Sequence, residues 1–249
     1  MLPLVIDDAL HLIGVGAYLP ASRTLIVADL QLGQEGQLRA AGHGILDRDA
    51  EAMRVLLLDM LEATQAKTVV INGDLKHAFG RILPQEREDI HRIVGALQMK
   101  ANVILVKGNH DTLTKPIAEE LGLTLVDSWT DGDTLVLHGH KAPEDDPAFK
   151  NAKTVIIGHL HPAVTLSDGV RAERVKCFLL GAHQKKRLVI LPSCTTLAAG
   201  ADVLRITPKG PFFDQKTLDA STIYLTDERG VQLAGLVRRV RAALERLAR

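Results

Sequence analysis

Cysteine is almost missing from this chain: two residues in 249, Cys177 and Cys194, in neither a C-x-x-C pair nor a metal-type cluster. That excludes a disulfide scaffold and a thiolate zinc site, and reads as two buried thiols in a reducing compartment. Net charge is missing too, thirty basic residues balancing thirty acidic ones. No overall field therefore draws the chain to nucleic acid or to an anionic membrane, and any such contact has to be local. Aromatic residues make up only 3%, a poor provision for stacking single-stranded bases. No apolar run approaches the length of a membrane span, and the start, MLPLVIDDALHL, lacks a basic leader and is broken by Asp7 and Asp8. A cytoplasmic protein with no membrane partner is the expectation. Rival catalytic motifs are lacking as well: Gly14-Val15-Gly16 has no third glycine for a dinucleotide loop, and there is no P-loop, H-E-x-x-H or G-x-S-x-G.

What is present is ordinary globular composition, 46% hydrophobic and 24% charged. A chain of this length buries roughly 70 to 75% of its unfolded surface and needs no staple. Short β-rich runs recur at Thr24–Ala28, Thr68–Ile71, Val103–Val106, Thr134–Leu137 and Thr154–Ile157. Each suits a strand buried on both faces. Between them, Ala50–Ala63 and Gln85–Met99 carry apolar residues at helical spacing. Strand, helix, strand is the repeating unit, so the fold class is α/β. Later, Leu188–Leu191 reads as a strand. Ile223–Leu225 and Val231–Leu233 flank Asp227-Glu228-Arg229-Gly230 as a hairpin, and Leu236–Arg249 reads as an amphipathic packing helix. No long linker divides the chain; Pro143–Pro147 and Pro208–Pro211 are loop-sized. Residues 1–249 are therefore expected to form one domain, with a C-terminal hairpin and helix, about 220–249, packed on it.

The informative residues follow the strands. After Ala28 come Asp29-Leu30-Gln31; after Ile71, Asn72-Gly73-Asp74-Leu75-Lys76-His77; after Lys107, Gly108-Asn109-His110-Asp111; after Leu137, His138-Gly139-His140; after Ile157, Gly158-His159-Leu160-His161. In an open α/β sheet the carboxyl ends of the strands share one edge, so these groups converge there. Carboxylate, amide and imidazole without thiolate suit Mn, Fe, Zn or Co. There are ligands enough for two ions, which a carboxylate such as Asp74 can bridge. Such pairs clamp a phosphoryl group and acidify water, which points to a phosphoester hydrolase. Taken singly, Gly-Asp is a common turn and a lone histidine is commonly structural. It is the set of five that argues for a site.

As a set these motifs resemble the calcineurin-like metallophosphoesterases. Gly73–His77, His161–Val164, Val175–Phe178, Leu191–Ser193 and Gly200–Val203 resemble more closely a small uncapped subfamily. It includes archaeal relatives of the nuclease subunit of double-strand-break repair complexes and bacterial ligase-associated DNA damage response endonucleases. The resemblance implies two mixed β-sheets sandwiched between helices. It implies Asp29, Asp74 and His161 as holders of a first ion, and Asp74, Asn109, His138 and His159 as holders of a second. Manganese is the expected metal, with Mg, Fe or Zn as alternatives. His110 would protonate the leaving group or steady the transition state, with Asp111 orienting its imidazole. His77 would touch substrate phosphate, unless it is a neighbouring structural histidine. Where the family has histidine two residues after the first aspartate, this chain has Gln31. As a ligand Gln31 is a weaker donor than imidazole, so the first position is expected to be weak.

The expected function is a metal-dependent phosphodiesterase or nuclease acting on DNA or RNA. A phosphomonoesterase or small-nucleotide phosphodiesterase is the alternative, as is a binding or scaffold protein impaired by Gln31; a homo-oligomer is compatible with each. Lys76, Lys107 and Lys141 lie beside the metal motifs, where they could meet a phosphate backbone, but solvated strand-end lysines are the expectation; His140 is expected to back the second ion's ligands or sit beside them. His11, His43, His91 and His183 fit no motif.

Overall fold

The computed structural model describes residues 1–40, 42, 49–80, 82–167, 169–207 and 209–247. His43 and Pro208 lie outside the described residues, and the last helix is described as far as Leu247.

The chain opens with an antiparallel meander, β1 (Leu4–Asp7), β2 (Leu10–Ile13), β3 (Gly16–Leu19) and β4 (Thr24–Val27). It then winds right on as parallel strands β5 (Thr68–Asn72), β6 (Asn102–Val106) and β7 (Thr124–Val126), giving a sheet in the order β1-β2-β3-β4-β5-β6-β7. The crossovers carry α1 (Gln34–Ala40) and α2 (Asp49–Thr64), then α3 (Pro84–Gln98), then α4 (Lys115–Glu120).

The second sheet begins with the hairpin β8 (Ser128–Asp131) and β9 (Thr134–Leu137). After α5 (Pro147–Asn151) come β10 (Thr154–Ile157), β11 (Pro162–Ser167), β12 (Ala172–His183), β13 (Lys186–Ile190) and β14 (Ala201–Asp202). Its order is β14-β11-β12-β13-β10-β9-β8, with β10 parallel to both β9 and β13. Following α6 (Gln215–Ala220), β15 (Thr222–Asp227) pairs with the long β12, β16 (Gly230–Leu236) pairs with β15, and α7 (Val237–Leu247) closes the chain.

Alternation along the strands explains the layering. In β4 and β5, Leu25, Val27, Val69 and Ile71 pack with Met53, Leu57 and Met60 of α2 and Ile90, Ile93 and Leu97 of α3. Their neighbours Ile26 and Val70 point the other way, onto Val136, Ile156, Phe178 and Val189 of the second sheet. That sheet's outer face, with Leu135, Val155, Ile157 and Leu188, packs on Phe149, Phe212, Leu218 and Val237. The result is four layers, helix, sheet, sheet, helix. Both faces of the inner strands are covered, which is why their sequences are unbroken apolar runs. Burying each such aliphatic side chain contributes roughly 1.5 to 3 kcal/mol. Arg241 of α7 is tied to Asp219 at 2.7 Å and to the Leu204 carbonyl at 2.9 Å, as a packing helix requires. Cys177 and Cys194 are free and buried.

One expectation is corrected here. The motif strands do not share the edge of a single sheet: β4, β5 and β6 belong to the first and β9 and β10 to the second. Convergence comes from stacking two sheets so that their carboxyl ends meet. Asn72 stitches that seam, its Nδ2 donating to the carbonyls of Leu137 at 3.0 Å and Ile156 at 3.5 Å.

Candidate metal centre

Beyond β4 and β5 the two following loops continue side by side, with Asp29 N–H donating to Gly73 O, Gln31 N–H to Asp74 O and Leu32 N–H to Leu75 O, at 3.1, 2.9 and 3.0 Å. This ladder is what brings Gln31 beside Asp74, although 43 residues separate them. Five of the site residues hold left-handed backbones: Asp29 (φ 57°), Gln31 (52°), Asp74 (49°), His159 (66°) and His161 (50°). Each such conformation costs on the order of 1 kcal/mol or more in a non-glycine residue, and clustering of this kind is typical of functional sites. Two glycines make room. A Cβ on Gly73 would lie 2.2 Å from His138 Nδ1, and one on Gly108 would lie 2.2 Å from Asp74 Oδ1.

Asp74 is the hub. Its Oδ1 accepts from the backbone N–H of His110 at 2.9 Å. Its Oδ2 accepts from Gln31 Nε2 at 2.8 Å and faces His138 Nε2 at 3.4 Å and His110 Nε2 at 3.8 Å. Ligand atoms of Asp74, His138 and His159 all lie within 4.8 Å of one another, and Asn109 Oδ1 is 3.0 Å from His138 Nε2. On the other side, Asp29 Oδ2 accepts from His159 N–H at 2.9 Å. Asp29 Oδ1 faces His161 Nε2 at 3.2 Å and His138 Nδ1 at 3.7 Å. That Oδ1 is fully buried and, among the described residues, accepts no well-formed hydrogen bond, as an oxygen reserved for a cation would.

The electrostatics follow from this packing. Burial pushes the Asp74 carboxyl up, but hydrogen bonding and charge from His138 and the His110 N–H outweigh it and bring it down to about 2. Burial works against a charged His138, yet Asp74 and Asp29 hold its imidazole up to about 9. Burial and the neighbouring His138 lower both His159 and His140, the latter to about 4. Carboxylates oriented by N–H groups and faced by imidazoles 3.2 to 3.8 Å away, with an amide oxygen alongside, form a donor set that suits a divalent ion replacing the imidazolium proton.

All ten residues marked by the sequence meet in this one network, though not all in the expected manner. Gln31 turns its oxygen to His77 Nδ1, 2.7 Å away, and its N–H to Asp74. An ionised carboxylate has only lone pairs to offer, so the amide must face it with nitrogen. Asp111 does not reach the His110 imidazole. Its carboxylate is occupied by the N–H groups of Gly108 at 2.8 Å and Leu75 at 3.1 Å, locking two loops together, and the His77 carbonyl takes His110 Nδ1 instead. Lys76, expected to be solvated, is completely buried, its ammonium held by the carbonyls of Ala78 and Gly80. Lys107 is exposed and pairs with Asp127 at 3.0 Å. Sequence reasoning also missed Asn72, whose signal was an amide at a strand end directly before Gly-Asp. A cleft of about 480 Å³ opens beside His138, with Lys107, Thr112, Ser128, His140 and Lys141 in its walls.

Comparison with known proteins bears on the fold and the family. No curated protein sequence matches significantly. The nuclease MPE of Pseudomonas putida superposes with a TM-score of 0.64 at 24% identity, over 93% of this chain and 98% of that one. Yfce, a phosphoesterase from E. coli, gives 0.38 at 18% identity over 82% and 88%, too loose a superposition to argue from. The sequence pattern of the calcineurin-like phosphoesterases matches residues 22–183, which take in all five motifs. The chain belongs to the calcineurin-like phosphoesterase family, a family of metal-binding hydrolases of phosphoric esters.

Proposed function

We propose that this chain is a phosphodiesterase that cleaves nucleic acid at a centre for two divalent ions, manganese by preference. The observation that carries this reading is the pair of buried carboxylates, Asp29 and Asp74, each turning an oxygen toward imidazoles from the opposite sheet. Asp74, Asn109, His138 and His159 would hold one ion, and Asp29, Asp74 and His161 the other. Ions bound there supply polarisation of the phosphoryl oxygens and acidification of water.

The chain's own groups do the rest. His110 keeps one proton on Nδ1 against the His77 carbonyl and can carry a second on Nε2 for the departing oxygen. His77 acts through Gln31, fixing the amide whose N–H aims Asp74. Asp111 holds the Asn109–His110 loop against the Asp74 loop. Lys107 and Lys141 flank the neighbouring cleft and suit a phosphate backbone. Superposition on a nuclease over nearly both full lengths supports nucleic acid as substrate. Two free, buried cysteines are consistent with the cytoplasm, and residues 1–249, hairpin and last helix included, are read as one unit.

The test is hydrolysis with added Mn of three substrates: an oligonucleotide, an aryl phosphodiester and an aryl phosphomonoester. The first two should be cleaved and the third largely spared. Cleavage of the monoester alone would replace this reading with a phosphatase, and cleavage of none would leave a binding protein.

A further inference from the structure

Of the eight aromatic side chains in the sequence, five Phe, two Tyr and one Trp, seven are buried or half-buried; Phe79 is 60% exposed. Its position is not incidental. The ring lies against the His110 imidazole, with centroids 3.8 Å apart and planes 32° from parallel. His110 in turn stacks on His77 at 5.7 Å, so three rings form a short pile at the edge of the metal centre with Phe79 outermost.

The loop that presents Phe79 is held with unusual thoroughness. The His77 carbonyl meets His110 Nδ1, those of Ala78 and Gly80 take the ammonium of the fully buried Lys76, and that of Phe79 itself takes the Thr112 hydroxyl. Four consecutive carbonyls are thus pinned. Burying a lysine is costly unless its charge is satisfied, and here the charge is spent on the carbonyls of the two residues either side of Phe79. An exposed phenyl ring on a mobile tip would be unremarkable. One fixed by its own backbone against His110, and 60% exposed, lies within reach of a group carried by the scissile phosphate.

We propose that Phe79 is a stacking subsite for the nucleobase next to the scissile phosphate, on the leaving-group side. The inference rests on the nucleic-acid reading above and sharpens it. One face of the ring is used by His110 and the other takes a base, continuing the pile. A single flat platform tolerates any base, so the subsite favours base-bearing phosphodiesters over simple alkyl diesters without reading sequence.

The test compares a short single-stranded oligonucleotide with the same strand made abasic beside the cleaved phosphate, using the Mn-loaded protein and its Phe79→Ala and Phe79→Trp variants. Stacking on one aromatic side chain corresponds to roughly 5- to 150-fold in affinity. Phe79→Ala should therefore raise KM for the normal strand relative to the abasic strand within that range, any fall in kcat through the stacked His110 ring being shared by both strands, and Phe79→Trp should restore the difference in KM. An equal rise in KM on both strands would assign Phe79 a purely structural role under His110 and overturn the proposal, as would no rise on either. If the unaltered protein cleaves neither strand while hydrolysing an aryl phosphodiester, the nucleic-acid reading fails, and the subsite with it.

Discussion

Gln31 and Asp74, 43 residues apart, are joined by a 2.8 Å hydrogen bond in which the amide nitrogen, not its oxygen, faces the carboxylate. The oxygen is spent on His77 at 2.7 Å. To ligate an ion through that oxygen, Gln31 would have to give up both contacts. Gln31→His offers a ring nitrogen in its place. We expect at least tenfold tighter binding of Mn at the position held by Asp29 and His161, with the other position unchanged, measured by calorimetric titration. No change in the weaker class of sites would contradict this account of Gln31.

Ion binding should release a proton. Asp74 and Asp29 raise His138 to about 9, so the metal-free protein carries an imidazolium where a ligand lone pair is needed. Affinity for Mn should climb with pH up to about 9, by as much as about tenfold per unit. In the metal-free protein the sign is opposite for stability. The raised value makes the His138 contact stabilising, fully so below its ordinary 6.5, and the contribution fades as pH rises through about 9. Titration in buffers of different ionisation enthalpy counts the released protons, and a count of zero at pH 7 would contradict the pairing.

Removal of His110 should separate chemistry from binding. Its imidazole stands 3.8 Å from Asp74 Oδ2, but its ring is anchored by the His77 carbonyl and stacked on Phe79. His110→Asn should lower kcat by roughly 10²- to 10⁴-fold, as loss of a positioned acid does, and leave the Mn affinity within a few-fold. Equal loss of metal would make His110 a ligand rather than a proton carrier.

Gly108 carries a steric prediction. A methyl group there meets Asp74 Oδ1 at 2.2 Å and the Asp74 backbone nitrogen at 2.3 Å, and only the side chain could swing away. Gly108→Ala should destabilise the fold by roughly 1 to 3 kcal/mol and weaken Mn binding in step, as read by denaturant unfolding with and without metal. Unchanged stability would mean that the two loops are not packed as described.

Much of this was legible in the sequence because inner strands covered on both faces leave unbroken apolar runs. β4, β5, β6, β9 and β10 each declared themselves so, and their carboxyl ends carried the ligands. The meander β1 to β3 was not read: β1 has no buried position, and β2 and β3 are four residues each whose apolar character is interrupted by His11, Gly16 and Tyr18. Nor was the partition into two sheets visible in strand order, because parallel pairing leaves no mark saying which strands share a ladder. Lys76 was misread for a related reason. A lysine after a strand is usually solvated, and only the loop that folds back to give it the Ala78 and Gly80 carbonyls makes burial tolerable. Gln31 was recognised as a departure, but its orientation depends on His77, a partner 46 residues away.

The central claim is that side chains from two sheets assemble a divalent metal centre around Asp74. Anomalous diffraction at the manganese edge, from crystals grown with Mn, tests it most directly. The account predicts a strong peak bounded by Asp74, Asn109, His138 and His159 and a weaker one bounded by Asp29, Asp74 and His161. A map with no peak at either place would contradict it.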